Sequence, residues 1–86
     1  MLKSENKKDV FRLSELGVGS EACVIDIVSN DLLMRRRMYD MGILKGTWVR
    51  VNRIAPFGGI ACLELRGYEI GLRNSELKNI VVRVVK

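Results

Sequence analysis

The side chains that most often carry chemistry are scarce in this chain of 86 residues. There is no histidine, and the only two cysteines are Cys23 and Cys62. General acid–base catalysis needs a histidine or two carboxylates that face one cleft, whereas most of the ten acids here are single residues among bases or on predicted outer faces. A cysteine nucleophile needs a neighbouring base, and none is evident near either cysteine. We therefore expect a binding protein and not an enzyme.

The two cysteines are also too few for a structural zinc site, which normally takes four Cys or His ligands. A disulfide fits their number, but a cytosolic chain usually keeps its thiols reduced. We interpret Cys23 and Cys62 as small hydrophobic side chains, and we expect no cofactor and no resident metal. A less favoured hypothesis is that ferrous iron or zinc binds between two copies of the chain through paired Cys23 or Cys62.

The positive charge of the chain is concentrated in its middle third. The formal net charge is +5, and the segment 32–63 holds six bases against a single acid, Asp40. Those six bases are Arg35, Arg36, Arg37, Lys45, Arg50 and Arg53. Such a distribution suits nucleic acid, anionic lipid or an acidic protein surface, and it is equally typical of a solvated rim.

Length and composition indicate one domain in the cytoplasm. The apolar runs are far shorter than the roughly 20 residues that cross a bilayer, and the N-terminus lacks the apolar core of a secretion signal. Residues 1–10 are mostly polar and are predicted to form a flexible tail. Residues 11–86 are predicted to form the single folded domain.

One short helix is predicted after the first strand. Asn30 or Asp31 is expected to cap it, and Gly42 is expected to end it in a left-handed conformation after Met41. A helical period places three methionines on one buried stripe: Met34, Met38 and Met41. Arg36 points away from that stripe, one turn before Asp40, and can pair with it weakly.

Five short strands complete the predicted fold. They are Ala22–Val28, Thr47–Ile54, Ile60–Arg66, Tyr68–Arg73 and Ile80–Val85. Alternation in the first strand is imperfect, which indicates either a bulge or burial on both faces. In the later strands, alternation places Val49, Val51, Leu63 and Tyr68 on inward faces, and it places Arg53 on the face opposite to Arg50. The pattern predicts a mainly β protein, a small SH3-like five-stranded barrel with one short α-helix after the first strand.

Four residues outside the predicted core are candidates for partner contact. Leu44 and Trp48 are large and apolar, Arg50 follows on the outer face of the same strand as Trp48, and Arg36 adds a charged rim. A structural interpretation remains open, in which Trp48 covers the barrel rim and Leu44 packs under the helix. Nucleic-acid binding is the alternative function, because Trp48 and Arg50 could serve as a stacking platform beside a base, with Tyr39 adding to them.

The order of several short motifs resembles the FeoA family. Leu13–Leu16 with Gly19 comes first, and the central run from Arg37 to Val51 follows with its acid and glycines at Asp40, Gly42 and Gly46. The remaining matching pieces are Ala55-Pro56 with Gly58-Gly59, Arg66-Gly67-Tyr68, and Leu72-Arg73 with Ser75-Glu76. The resemblance covers about residues 11–85.

This resemblance implies a small cytosolic SH3-like protein of bacterial ferrous iron uptake, without catalytic residues of its own. Members of the family are thought to act on FeoB, a large membrane transporter with a cytosolic GTP-binding domain. The same fold forms the C-terminal domain of iron-responsive repressors, but a lone chain of this size has no helix-turn-helix, so no nucleic acid is expected as a partner. The chain would then meet the membrane only through its partner, and a weak homo-oligomer is compatible with this interpretation.

Overall fold

A computed structural model describes residues 9–85 as one antiparallel sheet with two short α-helices and a 3₁₀ turn. The elements in chain order are β1 Val10–Arg12, the 3₁₀ turn Leu13–Glu15, β2 Glu21–Ile27, α1 Leu32–Asp40, β3 Trp48–Ile54, β4 Ile60–Leu65, β5 Tyr68–Arg73, α2 Asn74–Leu77 and β6 Ile80–Val84. The strands lie in the order β1-β6-β2-β3-β4-β5. All five predicted strands and the predicted helix are therefore present, with ends shifted by no more than one residue.

The predicted count of five strands and the closed barrel are wrong. A sixth strand, β1, pairs with β6 so that Val10 lies opposite Arg83, and three residues are too few to produce a recognisable alternation. Within residues 9–85, β1 and β5 each pair on one side only, so the sheet is open. The predicted tail falls mostly outside the described residues, and its last residue, Val10, belongs to β1.

The core forms between the inner faces of the strands and the buried side of α1. Alternate residues of β3 and β4 face inward as predicted, with Val49, Val51 and Leu63 at most 2% exposed. The methionine stripe of α1 is confirmed in part, because Met38 is fully buried and Met41 packs against the core cluster, whereas Met34 is half-buried beside Asn79 and outside that cluster. Burial of this one face holds α1 against the sheet, since a helix of nine residues is not stable alone.

Two bulges change which residues face outward. The first shifts the register of β2 against β6 between Val24 and Asp26, which explains the imperfect alternation of that strand. The second lies between Val51 and Arg53 in β3, opposite β4. It turns Arg53 onto the outer face, where its Nη2 lies 2.6 Å from a carboxylate oxygen of Glu69. Strict alternation had predicted the opposite orientation for Arg53.

Local hydrogen bonds fix both ends of α1. The Asp31 carboxylate accepts the backbone N–H groups of Leu33 and Met34 at 2.9 and 3.2 Å, so Asp31 is the cap and Asn30 is not. The helix ends before Gly42, whose φ of 87° is the left-handed conformation predicted for it. Neither helix in residues 9–85 is long and apolar enough to cross a membrane.

Candidate partner-binding surface

An open groove of about 560 Å³ lies between α1, the end of β2 and the loop that leads into β3. Its walls combine apolar side chains with three basic ones and one acidic one. They are Asp26, Ile27, Arg35, Arg36, Tyr39, Ile43, Leu44 and Lys45. Two of the four residues predicted to contact a partner, Arg36 and Leu44, line it.

The edge of β2 at the groove is closed by side chains. Nη1 of Arg35 donates to the carbonyl oxygen of Ile27 at 2.6 Å, and the Asp26 carboxylate accepts the N–H of Ile27 at 2.8 Å. A strand from another chain could not use these backbone groups without displacing Arg35 and Asp26. The groove is therefore shaped to receive side chains or a helix, and not an added strand.

The loop 42–47 is held firmly at one wall of the groove. Thr47 is a buried polar residue whose hydroxyl accepts the N–H of Leu44 at 3.1 Å and donates to the carbonyl oxygen of Gly42 at 3.2 Å. The N–H of Gly46 donates to the carbonyl oxygen of Val24 in β2 at 2.7 Å. These bonds position Leu44 as a half-buried wall residue while Lys45 remains exposed beside it.

The upper rim of the groove is formed by the exposed face of α1. The side chain of Arg36 is 81% exposed, and its Nε lies 4.0 Å from Asp40, as predicted for a weak i,i+4 pair. Tyr39 is 67% exposed and contributes an aromatic ring to the groove. Tyr39 was predicted only as an addition to a nucleic-acid platform, although its spacing of three residues from Arg36 already placed the two on neighbouring parts of one helix face.

The other two predicted contacts, Trp48 and Arg50, lie on the outer face of β3 and do not line the groove. Trp48 is 42% exposed and lies opposite Cys23 of β2. Arg50 is held within the molecule, since its Nη1 donates to Asn52 at 2.8 Å and its Nε lies 3.9 Å from Glu21. The four candidates therefore occupy two surfaces that adjoin where the loop enters β3.

A polar network continues across this outer face toward β5. The side-chain amide of Asn52 donates to the carboxylates of Glu64 at 3.2 Å and Glu69 at 3.1 Å. The hydrogen bond from Asn52, together with the charge of Arg53, lowers the pKa of Glu69. The neighbouring Cys62 sulfur and the hydrogen bond to Glu69 in turn raise the pKa of Arg53. Arg53 and Glu69 therefore stabilise each other as ions.

The basic middle third of the sequence does not form one patch. Most of its six bases bind groups of the same chain, and these are Arg35, Arg37, Arg50 and Arg53. For example, Nε of Arg37 lies 2.7 Å from the Glu76 carboxylate on the side of α1 away from the groove. The remaining two, Arg36 and Lys45, are exposed at the groove.

The cysteines are free and far apart. Cys23 lies opposite Trp48, and Cys62 lies opposite Arg53, so they are offset by five residues of β3, or about 15 Å at the usual rise of a strand. That separation excludes a disulfide between them in this fold. In residues 9–85 no group of three or more His, Cys, Asp or Glu side chains is arranged to hold a metal ion.

Comparison with known proteins assigns the chain a family. A model of the FeoA domain matches residues 11–84. The structure is similar to an FeoA-like protein from Clostridium acetobutylicum, with 40% identity, a TM-score of 0.82, and coverage of 91% of this chain and 90% of that one. No match was found among curated proteins.

Two further solved structures bear on the fold. One is the zinc complex of FeoA from Stenotrophomonas maltophilia, an SH3 domain protein considered a candidate activating factor for ferrous iron transport. It is 30% identical to this chain with a TM-score of 0.71, and the match covers 81% of this chain and 86% of that one. A manganese-dependent transcriptional repressor has a TM-score of 0.84 but only 22% identity, over 88% of this chain and 37% of the repressor. The repressor therefore shares the fold alone, and the architecture is SH3-like as predicted.

Proposed function

The chain belongs to the FeoA family, which is linked to ferrous iron transport, and we propose that it binds the cytosolic part of a FeoB-type transporter as a non-enzymatic accessory protein. In this proposal the protein acts in the cytoplasm and reaches the membrane through that partner. The observation that carries it is the groove beside α1, which combines apolar walls with basic residues at the rim.

The chemistry of the groove defines the segment it would take. Ile43 and Leu44 offer apolar contact. Among the described residues, Lys45 forms no ion pair, and Arg36 forms only the 4.0 Å pair with Asp40. Because Arg35 blocks strand addition, the favoured occupant is an acidic helix of the transporter that inserts apolar side chains. Protein interfaces usually combine buried apolar side chains at the centre with complementary charges of the two partners at the rim.

Trp48 and Arg50 would form a second contact on the adjoining outer face. Trp48 offers an exposed aromatic ring, and tryptophan is common among residues that dominate binding energy. Arg50 would act mainly by orienting this face, since Asn52 and Glu21 already bind its guanidinium group.

Binding of the purified cytosolic domain of a FeoB-type transporter, measured by calorimetric titration, tests the proposal. Leu44→Ser and Trp48→Ala should each weaken binding at least tenfold, since interface anchors are typically worth more than 1.4 kcal/mol. Arg36→Glu should weaken it as well, whereas Lys78→Glu, the same charge change at an exposed residue away from the groove, should not. Circular dichroism checks that each variant is folded.

Two outcomes would contradict the proposal. Normal binding by Leu44→Ser, Trp48→Ala and Arg36→Glu together would rule out these surfaces. Recovery of nucleic acid instead of a transporter, with an affinity that falls steeply as salt rises, would replace the proposal by the nucleic-acid alternative. That alternative is disfavoured because four of the six central bases are engaged within the chain.

A further inference from the structure

The turn that joins β3 to β4 carries the most exposed of the large apolar side chains in residues 9–85. Phe57 at its tip is fully exposed, with a relative accessibility of 102%, and Ile54 and Ile60 at its base are 42% and 49% exposed. From Ile54 to Leu63 the sequence contains no charged residue and no hydroxyl or amide side chain. Phe57 projects from the turn and does not line the cavity of about 220 Å³ that Ile54, Gly58, Gly59 and Ile60 help to form, so its ring is free to insert into an apolar medium.

The tip is a defined structure that holds Phe57 outward. The N–H of Ala55 donates to the carbonyl oxygen of Ile60 at 2.9 Å, and the N–H of Gly58 donates to the carbonyl oxygen of Ala55 at 2.9 Å. Gly58 and Gly59 both have positive φ, 79° and 87°, which only glycine adopts without strain. Because several of its backbone groups bond internally, this turn loses less hydration than an open loop would on entering an apolar medium.

Basic residues flank the base of this tip. Arg73 of β5 lies opposite Ile60, is exposed, and forms no ion pair within residues 9–85. Arg53 lies next to Ile54 and is bound by Glu69. An apolar tip beside the exposed guanidinium group of Arg73 complements the anionic surface of a bilayer, where apolar side chains enter the interface and bases meet lipid head groups.

We propose that the turn 54–60 inserts Phe57 into the interface of an anionic lipid bilayer. This surface is separate from the partner groove, because the turn follows the end of β3 while Leu44 and Lys45 precede its start. The seven residues of β3 span about 20 Å between the two. The contact would be weak and reversible, since one aromatic tip and one or two bases bind a membrane only marginally.

Vesicle binding by the whole protein provides the test, with phosphatidylcholine vesicles compared with vesicles that contain phosphatidylglycerol. The double variant Trp48→Phe/Phe57→Trp carries its single tryptophan at the tip, and its emission should shift to the blue only with the anionic vesicles. The emission of Trp48 in the unmodified protein should not shift. Phe57→Ser should lower partitioning about tenfold, consistent with the burial of one large side chain.

Matched variants separate this proposal from the transporter groove. Leu33→Ser removes another highly exposed apolar side chain, 82% accessible, from the start of α1 and should leave partitioning unchanged. Arg73→Gln should lower partitioning about fivefold, as expected for one base near an anionic surface, and Arg36→Gln should not. Phe57→Ser should leave binding of the isolated transporter domain intact.

Three results would overturn the inference. An unchanged emission of tryptophan at position 57 with anionic vesicles would do so, as would equal effects of Phe57→Ser and Leu33→Ser. Loss of transporter binding in Phe57→Ser, without any vesicle effect, would show that the tip enters a protein pocket instead.

Discussion

Tyr68 at the start of β5 donates a hydrogen bond from its hydroxyl to the carbonyl oxygen of Met41, 2.7 Å away. This bond joins the sheet to the end of α1, where several carbonyl groups have no partner within the helix. It also anchors the beginning of the loop 42–47, which forms one wall of the partner groove. The sequence had placed Tyr68 on the inward face of β5, whereas its side chain is 44% exposed and reaches the helix.

Tyr68→Phe removes this bond without removing the ring. We expect a loss of about 1 kcal/mol in the free energy of unfolding, because the Met41 carbonyl then depends on water alone. Urea denaturation followed by circular dichroism measures it. Tyr39→Phe is the control, since the Tyr39 ring is exposed and no hydrogen bond involves its hydroxyl within residues 9–85. Equal effects of the two variants would contradict a role for the bond.

Gly42 is constrained both by its backbone and by its neighbour. A Cβ at this position would lie 2.8 Å from the Tyr68 hydroxyl, in addition to the strain of a φ of 87°. Gly46 has a similar φ of 92° but open space around its Cβ position. We expect Gly46→Ala to cost about 1 kcal/mol and Gly42→Ala about 2 kcal/mol or more, because Tyr68 must also move. Thermal unfolding of the two variants measures both losses of stability. Equal losses would exclude a steric contribution from Tyr68 at Gly42.

The cap of α1 gives a sharp comparison between adjacent residues. Asp31→Ala should lower the free energy of unfolding by about 1 kcal/mol, because two N–H groups of the first turn lose their acceptor. Asn30→Ala should change it by less than about 0.5 kcal/mol, as expected for an exposed residue outside the cap. Chemical denaturation of both variants checks this, and the reverse ranking would mean that Asn30 is the cap in solution.

The lowered pKa of Glu69 predicts a specific dependence of stability on pH. The folded state favours the carboxylate, so the contribution is complete above the ordinary glutamate pKa of about 4.3 and is lost as pH falls through the lower pKa of the folded state. A carboxyl-carbon NMR titration should find the pKa of Glu69 below the ordinary value. Asn52→Ala should move it upward, since Asn52 supplies the largest stabilising hydrogen bond. No change in that variant would contradict the assignment.

Much of the fold could be predicted because its signals are local. Met38 follows a helical period, Val49 and Val51 follow a strand period, and the left-handed residue after α1 is a glycine, so each was placed correctly. Strand β1 was missed because three residues carry no periodic signal and depend on β6 for pairing. The orientation of Arg53 was missed because a bulge depends on the partner strand and leaves no local mark.

The candidate site was only partly predictable for the same reason. Arg36 and Leu44 do line one groove, whereas Trp48 and Arg50 lie on the adjoining face. The bond from Arg35 to the Ile27 carbonyl, which decides what the groove can accept, spans two elements and has no sequence pattern. Charge counting also overestimated the basic surface, because pairing partners such as Glu76 for Arg37 are distant in sequence.

The bulge in β3 affects how relatives of this protein should be aligned. One residue more or fewer between Val51 and Arg53 would restore regular pairing and send an arginine at the aligned position to the opposite face. Two family members could then be identical at that column while presenting the guanidinium group to different surroundings. Shared surface chemistry in the family should therefore be inferred only between sequences of equal length through this strand.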